Sequence, residues 1–226
     1  MAELIAGIDE VGRGCLAGPV YAAAVILPLQ PQLLGLRDSK ALSASAREKL
    51  VPQIEQAALA WAIGVATPAE IDEINILQAT FLAMRRALAA LKIAPDLCRV
   101  DGNQNPQLGV ATEMVIGGDG LHACIMAASI IAKVARDAEM RRLCAEYPHY
   151  GFSRHKGYGT PDHLRALRQH GPCAIHRRSF APCAQSYLSL QKVLVDEPAS
   201  PVSVKEDRRA IDLNASIYSN PADIST

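Results

Sequence analysis

Gly7-Ile8-Asp9-Glu10-Val11-Gly12-Arg13-Gly14-Cys15-Leu16-Ala17-Gly18-Pro19 is the stretch whose reading decides the fold. An apolar run from Leu4 to Ile8 leads into it like a buried strand, ends in adjacent carboxylates, and gives way to glycines that no regular element continues through. Successive strand side chains point to opposite faces. Asp9 and Glu10 are therefore expected to share a site only where the strand stops and the chain turns. Gly12 and Gly14 permit that turn and leave bare backbone N–H groups that a substrate can approach.

Downstream, Val20 to Leu27 is apolar throughout and bounded by Pro19 and Pro28, which reads as a second buried strand. Leu42-Ser43-Ala44-Ser45 offers N-cap hydroxyls to a helix over about residues 44–57, and Leu59 to Ala66 reads as a third strand. Thr67-Pro68 opens an interrupted helical region reaching about Lys92. Short strands follow at Leu97 to Val100 and Glu113 to Ile116, then a long helix from about Ala123 to Glu146 and a last one from Pro161 to near Gly171. Strands that later alternate with helices predict an α/β domain with a mixed sheet flanked by helices. Carboxylates at strand ends lie where such sheets bind ligands. Residues 1–195 are expected to form the domain, and 196–226, rich in Pro, Ser, Asp and Lys, a disordered tail.

Lys plus Arg and Asp plus Glu balance at 23 each over 226 residues. The balance hides a basic segment: residues 133–178 hold 10 Lys/Arg against 4 Asp/Glu, whereas 1–132 hold 9 against 13. A local basic surface within a neutral protein is the footprint expected of a nucleic-acid partner. Six scattered cysteines without a C-x-x-C pair read as reduced thiols, and no apolar run reaches membrane-spanning length. A cytoplasmic protein is expected, with no membrane partner and acting as a monomer.

Asp9, Glu10 and Asp101 each follow an apolar strand, and Asp137 falls one turn after Lys133 on the edge of the long helix's apolar stripe. A carboxylate held against a core needs a partner. Four carboxylates without His or Cys at ligand spacing suit a hard ion, Mg²⁺ or Mn²⁺, and phosphoryl transfer on two metals. An Asp-Gly such as Asp101-Gly102 also fits an ordinary turn.

Gly7 to Gly14, Asp38-Ser39-Lys40, Val100-Asp101-Gly102-Asn103, Ala128 to Asp137, His155-Lys156-Gly157-Tyr158-Gly159-Thr160 and His176-Arg177-Arg178-Ser179-Phe180 together resemble the motif set of ribonuclease HII over about residues 4–183. The resemblance implies a ribonuclease H-like fold with a small helical C-terminal extension. It implies an endonuclease cutting the RNA strand of RNA–DNA hybrids, and cutting 5′ to ribonucleotides embedded in duplex DNA to leave 3′-OH and 5′-phosphate ends. The family's catalytic and metal-binding acids map onto Asp9, Glu10, Asp101 and Asp137. Gly12-Arg13-Gly14 takes the place of the tripeptide that contacts the ribose 2′-OH, and Tyr158 that of a tyrosine stacking on the neighbouring deoxyribose. Lys40, Lys133, Lys156, Arg177 and Arg178 are expected on phosphates. Gly117 departs from the family pattern, where a lysine often stands.

A dinucleotide-binding oxidoreductase is the competing reading, because Gly12-x-Gly14-x-x-Ala17 with Asp38 downstream satisfies that fingerprint. Against it, Ala17-Gly18-Pro19 blocks the required helix and Asp9-Glu10 sets like charge beside the pyrophosphate. A non-catalytic hybrid-binding module and a junction resolvase are weaker alternatives. Gln185-Ser186-Tyr187-Leu188-Ser189-Leu190 faintly resembles a sliding-clamp-binding peptide.

Overall fold

Five strands, β1 (Ile5–Val11), β2 (Val20–Ile26), β3 (Ala60–Ala66), β4 (Leu97–Asp101) and β5 (Ala111–Val115), form one sheet in the order β3-β2-β1-β4-β5. β1 pairs antiparallel with β2 and parallel with β4, β2 and β3 are antiparallel, and β4 and β5 are parallel. Among the described residues the helices include α1 (Ala44–Ala57), α2 (Pro68–Ala89), α3 (Ala123–Glu146), α4 (Phe152–His155) and α5 (Pro161–His170), with a further helical run over 181–186. This computed structural model describes residues 3–31, 33, 35–36, 42–186 and 188. Asp38-Ser39-Lys40 and the expected tail lie outside those residues, as do three positions of the clamp-like peptide.

Alternation along the strands sorts the core into two layers. Ala6 and Ile8 of β1 and Val20, Ala22, Ala24 and Ile26 of β2 face α2, where Ile71, Ala79, Ala83 and Met84 are buried. Ala23, Val25, Trp61 and Ile63 face the opposite way, onto Leu50 and Ile54 of α1 and Met126, Ile130 and Ile131 of α3. A fully buried aliphatic side chain contributes about 2 kcal/mol. A partly exposed i,i+4 ion pair such as Lys133–Asp137 contributes under about 1 kcal/mol. The apolar stripe therefore holds α3 on the sheet, and the pair is left to serve the site.

Local sequence sets the helix starts. Ser43 accepts a hydrogen bond from the Ala46 N–H, and Thr67 and Glu70 form a reciprocal capping box at α2. The expected interruption of α2 is at Asn75, with φ of 67°, where the side chain recaps the helix by accepting from Leu77 and Gln78 N–H. No helix follows the glycine stretch, and Ala17 instead bridges to His176. That removes the dinucleotide reading. All six cysteines are free, and no described helix is long and apolar enough to cross a membrane.

Two expectations need correction. β1 runs on to Val11, so Asp9 and Glu10 stand within a paired strand, opposite Ala23 and Ala22 of β2, rather than after it. β5 lies two residues earlier at its start than the sequence pattern implies, because its register with β4 pairs Leu97 with Ala111.

Gly7 is what lets α3 lie so close to β1. A Cβ there would stand 2.2 Å from the Cys124 carbonyl carbon and 2.4 Å from the Ile125 nitrogen, both rigid backbone. Gly7→Ala is therefore expected to lower stability by about 2 kcal/mol or more, read as a reduced urea midpoint. An unchanged midpoint would show that the strand and helix are not in this contact.

Candidate active site

Ile8 and Val100 are the last registered pair of β1 and β4, so the next step of the ladder sets Asp9 beside Asp101. Because Ile8 and Val100 pack toward α2, alternation turns Asp9 and Asp101 toward α3. There Asp9 is 6% exposed and hydrogen-bonded by Ser129, and its Oδ1 accepts from the Glu10 N–H at 2.7 Å. Asp101 Oδ1 accepts from the Gly118 N–H at 2.7 Å, which aims the carboxylate from the end of β4.

Burial pushes the Asp9 carboxyl up to about 7, helped by the charges of Glu10 and Asp101 and opposed by Ser129. Glu10 is also raised, chiefly by burial, with Asp101 adding and Arg13 opposing. Burial thus makes both charges costly, and Asp101 adds to each. Arg13 Nη1 holds Glu10 Oε1 at 3.0 Å, whereas Glu10 Oε2 is buried without a partner. Such a buried orphan oxygen beside two more carboxylates suits a divalent cation. No three His, Cys, Asp or Glu side chains among the described residues are already gathered as a cage. The fit rests on the orphan oxygen of Glu10 beside carboxyls that burial raises at both Asp9 and Glu10.

Asp137 stands on α3, one turn after Lys133. It is buried, its Oδ1 accepts from Lys133 Nζ at 2.8 Å, and its charge is felt by Lys156 and Tyr158. Asp137 therefore stands toward the Lys156-Tyr158 loop, while Asp101 acts by charge on both Asp9 and Glu10. A cleft of about 160 Å³ is lined by Glu10, Val11, Arg47, Asp119, Ser129, Ile130 and Lys133. A larger one, about 360 Å³ around Trp61 and Ile63, contains none of the four carboxylates.

The glycine loop is shaped by buried arginines. Arg177, expected on phosphate, is instead fully buried: Nε and Nη2 donate to the Gly18 carbonyl at 3.0 and 2.9 Å, Nη1 to Arg13 at 2.8 Å and Nη2 to Gly12 at 2.6 Å. Fully buried, with Nε, Nη1 and Nη2 each bonded to main-chain oxygens, it has no face for a substrate. Arg136, to which the sequence reading gave no role, is equally buried and donates to the carbonyls of Pro19, Lys156 and Ala17 at 3.0, 2.9 and 3.2 Å. Its signal was legible, since it falls in step with Ala128, Ala132 and Met140 on the buried stripe of α3.

The two glycines divide their work. Gly12 has φ of 98° and is buried, and a Cβ on it would meet Arg136 Nε at 2.2 Å, so its bareness makes room for the arginine. Gly14 is exposed, and a Cβ there would meet nothing within 4 Å. The open backbone is at Gly14. Cys15 bridges to Tyr158, and the Leu16 N–H donates to Gly157 O at 2.8 Å, so main-chain bonds tie the glycine loop to the Tyr158 loop. Tyr158 is 41% exposed. Lys156 bonds to the Ser153 carbonyl, and Arg178 is exposed with its main chain held by Asp72.

The family model described as Ribonuclease HII matches residues 6–183. A protein named Ribonuclease HII from Bordetella pertussis is 60% identical over 182 residues, covering 80% of this chain and 90% of its own. One from Burkholderia pseudomallei is 52% identical over 185 residues, covering 82% and 86%. Among solved structures, the ribonuclease H2 of Pyrococcus horikoshii superposes with a TM-score of 0.72 at 27% identity, over 84% of this chain and 99% of its own. The RNase HII of Archaeoglobus fulgidus, solved in complex with PCNA, gives 0.66 at 28%, over 77% and 92%.

A carboxyl raised by the fold from about 3.9 in an unfolded chain makes stability fall as pH climbs from about 4 through about 7. Below that range the carboxyl is protonated in both states and costs nothing. Asp9→Asn is therefore expected to raise the thermal midpoint of the metal-free protein at pH 8 by on the order of 5 °C, a gain that shrinks as pH falls toward 4. Differential scanning calorimetry in a chelator checks this, and a lowered midpoint at pH 8 would contradict the strained cluster.

Proposed function

The chain belongs to the ribonuclease HII family, a metal-dependent endoribonuclease that cleaves the RNA of RNA–DNA hybrids, and we propose that it also cuts 5′ to single ribonucleotides embedded in duplex DNA. The observation that supports this reading is the open backbone at Gly14, exposed and with nothing within 4 Å of a Cβ built there, four residues after Glu10 in the chain. A bare backbone can approach a ribose closely enough to recognise its 2′-hydroxyl, the one oxygen that separates RNA from DNA at a given position.

Asp9, Glu10, Asp101 and Asp137 would hold two divalent ions, Mg²⁺ or Mn²⁺, with Glu10 Oε2 supplying a donor that has no other partner. When bound, such ions lower the pKa of an attacking water and neutralise charge on the phosphate. Water adds across the bond between phosphorus and the 3′ oxygen, giving 3′-OH and 5′-phosphate ends. Arg13 keeps Glu10 Oε1 in place, and Lys133 does the same for Asp137. Gly14 and Arg13 face the ribose, and Tyr158 stacks on the next deoxyribose, at a spacing set by the Cys15–Tyr158 bridge. Lys133, Lys156 and Arg178 carry phosphate contacts, with Lys40 in the same role outside the described residues. A sliding-clamp contact through residues 185–190 is supported by the pattern of those residues and by the PCNA-bound relative.

Incubation with a duplex carrying one ribonucleotide tests the reading. Cleavage is expected only with Mg²⁺ or Mn²⁺, at the phosphate 5′ to the ribonucleotide. Gly14→Ala, which the fold accommodates, is expected to keep the wild-type thermal midpoint yet lose at least about tenfold in cleavage. Full activity in Gly14→Ala would remove the ribose-reading role of this backbone.

A further inference from the structure

Beneath the Tyr158 loop lies a histidine pair to which the reaction assigns nothing. His163 is fully buried and His176 is 2% exposed, and their Nε2 atoms face each other at 3.0 Å. At one end of the pair, the Cys173 backbone N–H donates to His176 Nδ1 at 3.0 Å. At the other, His163 Nδ1 lies 2.9 Å from the Tyr158 carbonyl oxygen.

These contacts permit one arrangement of protons. A backbone N–H is an obligate donor, so His176 Nδ1 is bare and its Nε2 carries the hydrogen. That hydrogen points at His163 Nε2, which must then be bare, leaving the second proton on Nδ1 to bond Tyr158 O. The Tyr158 end requires the same arrangement, because a carbonyl only accepts. A further proton on either ring would set N–H against N–H. Burial agrees, lowering His163 and taking His176 down to about 3, so both rings are neutral at pH 7. His155 stacks on His163 with ring centroids 4.5 Å apart and accepts from the Gly157 N–H at 3.2 Å. Tyr150, Phe152 and Cys173 complete the surroundings.

We propose that His163 and His176 are positioning residues for ribonucleotide recognition: a one-directional chain, from Cys173 N–H through His176 and His163 to the Tyr158 carbonyl, sets the main chain from which the Tyr158 ring is presented. The proposal rests on the reading of Tyr158 as the residue that stacks on the deoxyribose beside the cut. It gives the buried histidines an effect on substrate choice without contact to substrate.

Nitrogen-15 NMR of the full chain at pH 7 reads the protons directly. The expected tautomers are Nδ1–H for His163 and Nε2–H for His176, and the reverse pair overturns the proposal whatever the activity. The functional readout is the ratio of cleavage at a single ribonucleotide to cleavage of a uniform RNA–DNA hybrid. His163→Phe and His176→Phe keep the ring volume and are expected to lower that ratio about tenfold, as Tyr158→Ala does. His176→Gln, whose amide still donates toward His163 Nε2, is expected to retain most of it. The double variant His163→Phe with Tyr158→Ala is expected to fall no lower than Tyr158→Ala alone. Equal losses on both substrates, or additive losses in the double variant, overturn the positioning role alone. An unaltered ratio in Tyr158→Ala overturns the reading of Tyr158 and this proposal with it.

Discussion

Charged guanidinium groups bonded to main-chain carbonyls are the interaction on which the site depends. Arg177 and Arg136 reach Gly12, Arg13, Ala17, Gly18, Pro19 and Lys156, so both ends of the glycine loop have buried cationic donors on their carbonyls. A loop rich in glycine loses much backbone entropy when it is ordered, on the order of 1–2 kcal/mol per residue. Hydrogen bonds from a charged donor are worth about 1.5–3 kcal/mol each. The arginine bonds are therefore of the size needed to offset that ordering cost. Burial of the arginines is tolerable because each is surrounded by the negative ends of peptide dipoles. Arg177 is lowered to about 10, chiefly by burial, and stays charged at neutral pH.

From that constraint the division of labour follows. Polar groups in the interior build the loops, and small residues in the sheet let helices close on them. Gly7 admits the start of α3, and Gly64 admits α2, where a Cβ would lie 2.0 Å from Ala83 O. The same closeness buries Asp9 against Ser129 and raises its carboxyl. Strain at the carboxylates and order in the loops are thus two results of one tight packing.

Much of this was legible in the sequence, and the reasons are local. Apolar runs bounded by Pro marked β2, and Ser43 and Thr67 marked helix starts because caps act within one turn. The glycine motif and the acid-bearing motifs pointed to the family that the comparisons show. What the residues could not reveal was direction. Arg177 and Arg178 are neighbours of the same type, yet one points inward to Gly12 and the other is exposed. Gly12 and Gly14 read as equals until packing set Arg136 against the first. β1 continued through Asp9 and Glu10 because pairing with β2 extends to Val11 and Tyr21, a long-range fact. The histidine pair, 13 residues apart in sequence, became visible only when the fold faced their Nε2 atoms.

Arg177→Lys is the most direct test, because lysine keeps the charge but cannot divide planar donors among three carbonyls. Its thermal midpoint, measured alongside the salt dependence of hybrid binding in chelator, separates a brace from a phosphate contact. A brace predicts a midpoint lower by roughly 6 °C or more with an unchanged salt slope. An unchanged midpoint with a slope reduced by about 1 would contradict it and return Arg177 to the substrate.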